Sequence, residues 1–163
     1  MKIKAISLMI FTFFPVALFA NTATCPLSNG INVHTTQRIL NICQHGTVIK
    51  TFKVALGNKG VGKKKSGDNK TPVGLYRLAH PRKSNQFKVF IPILYPTTKQ
   101  LAAGYTGRDV GIHGPTQSSS SRFGWLSNLP YSTRGCIAVG KNNYIEYVAN
   151  WVKANPGAKV LII

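Results

Sequence analysis

Gly111-Ile112-His113-Gly114-Pro115 and Ser132-Thr133-Arg134-Gly135-Cys136-Ile137-Ala138-Val139 are the two stretches from which the rest of the chain is read. The first closes a short strand, expected over Arg108–His113, on a histidine between glycines, where another backbone or a ligand can come close. In the second, a cysteine follows a glycine and enters an apolar run. Its backbone N–H is then exposed beside its sulfur, the arrangement an oxyanion hole needs. Arg134, two residues earlier, adds positive charge that favours a thiolate. With His113 as proton acceptor, Cys136 is a candidate nucleophile. The plain alternative is an inert buried cysteine and an unrelated histidine.

Outward from these segments the pattern is mostly β with one clear helix. Arg38–Gln44 and Thr47–Leu56 flank His45-Gly46 as a hairpin, with Val48, Phe52, Val54 and Leu56 on one face and Thr51 and Lys53 on the other. Gly57–Asn69, rich in glycine and lysine, is expected to be an exposed loop; it lacks the Gly-Lys-Ser/Thr ending of a phosphate cradle. Strands are expected over Val73–Ala79, Phe87–Tyr95 and Lys159–Ile163, with Pro92 marking an edge or bulge. The serine-rich stretch Thr116–Ser121 reads as a surface loop or lid. Asn143 as N-cap with Glu146 three residues later imitates a capping box, and Tyr144, Ile145, Val148, Trp151 and Val152 form an apolar stripe at helical spacing.

Composition narrows the chemistry. The chain has 163 residues, enough for one domain with a core, and 44% of them are apolar, so it is no disordered segment. Against 21 Lys and Arg stand only 3 Asp and Glu, a formal net charge of +18. The acids Asp68, Asp109 and Glu146 are too few for a carboxylate-pair glycosidase or an oxygen-ligand metal cage. Residues 1–20 read as a secretory leader, with Lys2 and Lys4 before an uncharged run ending at Ala20. Residues 21–163 then form the mature domain, exported to the periplasm or cell envelope. There a basic surface meets anionic envelope polymers rather than nucleic acid, and the domain is read as a monomer. Three cysteines are an odd count for an oxidising compartment. Cys25 and Cys43, near each other in sequence, are the natural disulfide, leaving Cys136 free. Metal binding is not expected, because His34, His45, His80 and His113 are dispersed without ligand spacing; the first three are read as surface or turn residues.

At these residues the chain resembles the L,D-transpeptidase catalytic domain family, also called YkuD, of bacterial cell-wall enzymes. That family has a strand ending in His-Gly and, further on, Ser/Thr-His-Gly-Cys. Here the matches are Ile112-His113-Gly114 and Thr133-Arg134-Gly135-Cys136-Ile137-Ala138. Lys70-Thr71-Pro72-Val73-Gly74-Leu75-Tyr76 is similar to the family's Thr-Pro-x-Gly-x-aromatic segment, and Val54-Ala55-Leu56-Gly57 to the strand end before it. The resemblance implies a mainly β, sandwich-like fold and no cofactor. It implies Cys136 as nucleophile and His113 as base, the latter oriented by the carbonyl of Gly114. The N–H groups of Gly135 and Cys136 would form the oxyanion hole, with Thr133, Arg134, Gly114 and Tyr105 near substrate. Tyr76, Tyr95 and Trp125 are further candidates for the groove, or for packing. The substrate implied is the tetrapeptide stem of peptidoglycan, with envelope proteins attached to peptidoglycan as a second class of partner.

Two positions depart from the family pattern, Arg134 for histidine and Ala138 for arginine or asparagine. The second resembles the YafK-like branch, which includes enzymes that cleave rather than cross-link. Three readings follow: an L,D-transpeptidase, an L,D-endopeptidase or carboxypeptidase acting on the same bond, and a non-catalytic cationic module that docks on the envelope.

Overall fold

The computed structural model describes residues 25–116 and 131–163. The leader expected at 1–20, most of the serine-rich stretch and Trp125 lie outside these residues. The described elements run β1 (Gly30–His34), β2 (Ile39–Gln44), β3 (Thr47–Gly57), β4 (Gly74–Arg77), β5 (Arg82–Ser84), β6 (Lys88–Pro92), α1 (Thr98–Ala102), β7 (Gly111–His113), β8 (Tyr131–Thr133), β9 (Ile137–Val139), α2 (Asn142–Ala154) and β10 (Lys159–Ile162).

Among the described residues the strands join in one sheet, ordered β4-β10-β1-β2-β3-β9-β7-β6-β5, with β8 attached to β3. The hairpin of β2 and β3 turns at His45-Gly46, both at positive φ. Phe52, Val54 and Leu56 are buried and Thr51 and Lys53 exposed, as period two requires. The sheet curls until β4, at one edge, comes up to the end of β6, next to the other edge. Leu78 beyond β4 bridges Ile93 beyond β6, and Leu94 N–H donates to Arg77 O at 3.0 Å. One twisted sheet therefore supplies both layers around a single core of Ile31, Leu40, Ile91, Ile112, Ile137 and their neighbours.

Helix α2 closes this core by packing on β6 and β9. Its stripe of Ile145, Val148, Ala149 and Val152 is buried. The expected capping box is not formed. Lys141 occupies the N-cap with no side-chain hydrogen bond, Asn143 is already inside the first turn, and Glu146 pairs with Lys88 at 2.6 Å. A true capping box sits instead at α1, between Thr97 and Gln100. A disulfide joins Cys25 to Cys43 and ties the start of the described chain to β2.

The loop after β3 is mostly exposed, as expected, but Lys63 is an exception and is buried. His34 also differs from its expected surface position: it is half-buried at the end of β1, with Nε2 enclosed.

Candidate active site

Strand register builds the site. Parallel pairing of β7 with β9 aligns Ile112 with Ile137 and His113 with Ala138. Side chains two apart share a face, so Gly111 and His113 lie on the same side as Cys136 and Ala138. Ile112, Ile137 and Val139 point the other way and are fully buried. The same rung continues outward through β6 and β5, where His113 aligns with Phe90 and Phe90 with Arg82. Arg82, Phe90, His113 and Ala138 are thus one row across four strands, and all four line a cavity of about 550 Å³ that also contains Cys136.

The glycines make this row possible. A Cβ on Gly111 would stand 2.3 Å from Cζ of Phe90, and one on Gly114 would stand 2.8 Å from Cγ2 of Ile145 in α2. Gly135, at φ 120°, lies against the backbone of Lys70, whose carbonyl oxygen would be 2.7 Å from an added Cβ. Gly57 N–H donates to Thr71 Oγ1 at 2.8 Å. Three of the four segments that resemble the family, Val54–Gly57, Lys70–Tyr76 and Thr133–Ala138, are therefore in mutual contact, with Lys70-Thr71 wedged between the end of β3 and the cysteine turn.

His113 Nδ1 lies 2.6 Å from the carbonyl oxygen of Gly114. A carbonyl only accepts, so Nδ1 carries the hydrogen and Nε2 is left as the basic nitrogen. Phe87 stacks on the imidazole with centroids 3.8 Å apart. Burial holds the imidazole below its ordinary value, with the Gly114 bond opposing the shift. Cys136 is half-buried, and its thiol donates to Asp109 O at 3.6 Å. Burial pushes this thiol up; a hydrogen bond from the Gly111 backbone pulls it down, the Asp109 carboxylate adds to the rise, and the Lys63 ammonium opposes it. Both groups are therefore neutral near pH 7, a base and an acid lining one cavity rather than a preformed ion pair.

Arg134 is exposed and lines the cavity, but the charge that favours the thiolate comes from Lys63. Thr133 is buried and also lines the cavity; its hydroxyl donates to Cys136 O at 2.7 Å and accepts from Gly135 N–H at 3.1 Å. That bond engages the Gly135 N–H within the turn, so it is not aimed at an oxyanion in this arrangement. Gly114 borders the cavity. Tyr105 is not among the described residues that line it; it packs against the core, with the Lys64 ammonium 6.0 Å from its ring centroid. Tyr76 and Tyr95 are buried in the core, edge to face. Arg82, Phe87 and Phe90 were not singled out from the sequence as site residues. Phe87 and Phe90 are three positions apart, so period two does not put them on one face; strand pairing brings Phe90 level with His113, and the turn before β6 lays Phe87 on the imidazole.

Comparison with known proteins agrees with this geometry. The family model described as the L,D-transpeptidase catalytic domain, YkuD, matches residues 28–162. No curated protein sequence matches the chain. Among solved structures, the helical cell shape determining protein Pgp2 from Campylobacter jejuni is 28% identical, with a TM-score of 0.66 over 81% of this chain and 46% of that one. Bd1075 from Bdellovibrio bacteriovorus shares the fold at 23% identity and a TM-score of 0.60, covering 83% of this chain and 48% of that one. An L,D-transpeptidase from Xylanimonas cellulosilytica shares it at 20% identity and a TM-score of 0.50, covering 86% of this chain and 63% of that one. The chain spans about half the length of the first two. By its matched residues, the chain belongs to the L,D-transpeptidase catalytic domain family, YkuD.

Proposed function

We propose that this protein is an exported L,D-transpeptidase that acts on peptidoglycan tetrapeptide stems through a thioester on Cys136. The observation that supports the reading is that a free thiol and a histidine line one cavity, the histidine with its Nδ1 tied to Gly114 O, so that Nε2 is the basic nitrogen. Nε2 takes the thiol proton as Sγ attacks the carbonyl between the L-centre of diaminopimelate and the terminal D-alanine. The oxyanion develops beside the Cys136 N–H. Collapse breaks the C–N bond, and the imidazolium returns its proton to the departing D-alanine amine. An acceptor amine, deprotonated by the same nitrogen, then replaces sulfur and restores the thiol. Arg82 and Arg134 supply guanidinium groups to the cavity that suit the stem's carboxylates.

Residues 1–20 serve as the export leader in this reading and residues 21–163 as the domain working in the periplasm or envelope. No described helix is long and apolar enough to cross a membrane. Envelope proteins attached to peptidoglycan remain the second partner class, and the domain acts as a monomer. One observation favours a second reading, hydrolysis of the same bond. Ala138, aligned with His113 in the row, brings no charged group to orient an acceptor.

Mass spectrometry of tetrapeptide muropeptides incubated with the mature protein, beside Cys136→Ala, tests both. Cysteine-dependent dimers or D-amino-acid exchange support transfer. Cysteine-dependent loss of D-alanine without dimers supports hydrolysis, and no difference from Cys136→Ala rejects both.

A further inference from the structure

The cavity accounts for His113 and Cys136 but leaves one group unexplained, a buried lysine outside it. Lys63 is 5% exposed. Its ammonium donates to Asp68 Oδ1 at 2.8 Å and to Lys65 O at 2.9 Å. The Asp68 carboxylate accepts three further bonds, from the backbone N–H groups of Lys64, Lys65 and Lys70 at 2.8, 3.0 and 3.2 Å. One of the three acids of this chain thereby folds a lysine-rich loop around itself.

That loop touches both backbone segments that hold the nucleophile. On one side Lys70 O lies against Gly135, immediately before Cys136. On the other, Lys64 O accepts from Thr106 N–H at 2.9 Å, Thr106 Oγ1 accepts from Ser66 N–H at 2.9 Å, and the Lys63 stem lies against Gly107. Two residues further, Asp109 O accepts from the Cys136 thiol. The buried Tyr95 hydroxyl locks the loop from below by donating to Lys63 O at 3.0 Å. Its phenol is pushed up to about 12, by burial first and then by Tyr76 and Asp68, so it remains a donor. Of the charges acting on Cys136, the Asp109 carboxylate disfavours the thiolate and the Lys63 ammonium favours it.

We propose that Lys63 and Asp68 are positioning residues for the nucleophile: Asp68 shapes the loop that braces both sides of Cys136, and Lys63 presents positive charge to the sulfur from behind the cavity. This rests on Cys136 being the nucleophile, as the function above requires. The rationale is that a charge held out of water acts through a low dielectric, whereas the exposed Arg134 is screened.

Alkylation of Cys136 by iodoacetamide at pH 7 tests the inference without any cell-wall substrate. Lys63→Met removes the charge and keeps the stem. The double variant Lys63→Met/Asp68→Asn leaves neither charge buried without its partner, so it keeps the test open if the single variant does not fold. Both are expected to alkylate about three- to tenfold more slowly, a shift of up to about one pK unit. Lys63→Arg is expected to stay within about twofold of the parent, since it keeps the charge. On muropeptides the charge-removing variants are expected to lower kcat with KM little changed, because Lys63 does not line the cavity. Parental alkylation rates in the charge-removing variants would overturn the proposal, as would a Lys63→Arg rate as slow as that of Lys63→Met. If the parent turns over no muropeptide but the alkylation difference persists, the peptidoglycan reading fails and the positioning role stands.

Discussion

The ring of Phe87 lies on the imidazole of His113, with 3.8 Å between centroids and 22° between planes. The contact covers one face of the base and keeps water from it, which disfavours the imidazolium. His113 consequently stays neutral to lower pH than an ordinary histidine, so the acid limb of kcat/KM is expected below about 6.5. Phe87→Ala is expected to move that limb upward toward the ordinary value. The linkage has a matching sign. The unfolded chain binds the proton more readily, so stability from the neutral imidazole is present above about pH 6.5 and is lost as pH falls through the folded value. A pH–rate profile and acid melts of both proteins check the two statements.

Thr133 connects the turn to the nucleophile through two bonds, donating to Cys136 O and accepting from Gly135 N–H. Thr133→Val keeps the shape and removes both. The expected cost is about 1–3 kcal/mol in stability, because buried partners are left unpaired. Thr133→Ser, which keeps the hydroxyl, is expected to recover most of the stability and rate. Thermal melts and turnover of the three proteins distinguish lost hydrogen bonds from lost packing.

Arg82 reaches the cavity from β5, its guanidinium 5.0 Å from the centroid of the Phe90 ring. A cation stacked on an aromatic face is pre-oriented for a carboxylate. Arg82→Gln is expected to raise KM for a carboxylate-bearing stem about tenfold while changing kcat little. Equal effects on a stem whose carboxylates are amidated would contradict that role.

Gly111→Ala tests whether the row of side chains can tolerate any widening. The added Cβ meets Phe90 Cζ at 2.3 Å and Ile91 O at 2.6 Å, and the latter, being backbone, cannot swing aside. Overpacking of this kind costs about 1–3 kcal/mol. Loss of activity is expected to exceed the loss of folded protein, since β7 carries His113. Circular dichroism melts beside turnover numbers measure both.

The mostly β character, the hairpin at His45-Gly46 and the stripe of α2 were legible in the sequence because they rest on local period, turn chemistry and glycine. These properties act within a few residues of the chain. The helix cap was misread for a related reason. Asn143 and Glu146 have the right spacing, but where the chain enters the helix is decided by the sheet behind it, and Glu146 answers to Lys88 of β6. Spacing could bring His113 and Cys136 to notice as a pair of residue types, and no more. Their shared face, and the addition of Arg82 and Phe90 to it, follow from the register of four strands spread from Arg82 to Val139. Burial of Lys63 belongs to the same class. A lysine in a glycine-rich loop is solvated by every local criterion, and only the fold of that loop around Asp68 and against Gly107 takes its charge out of water. Local chemistry is written in order along the chain; which charges and rings face the sulfur is set by contacts between segments, and those exist only once the sheet has closed.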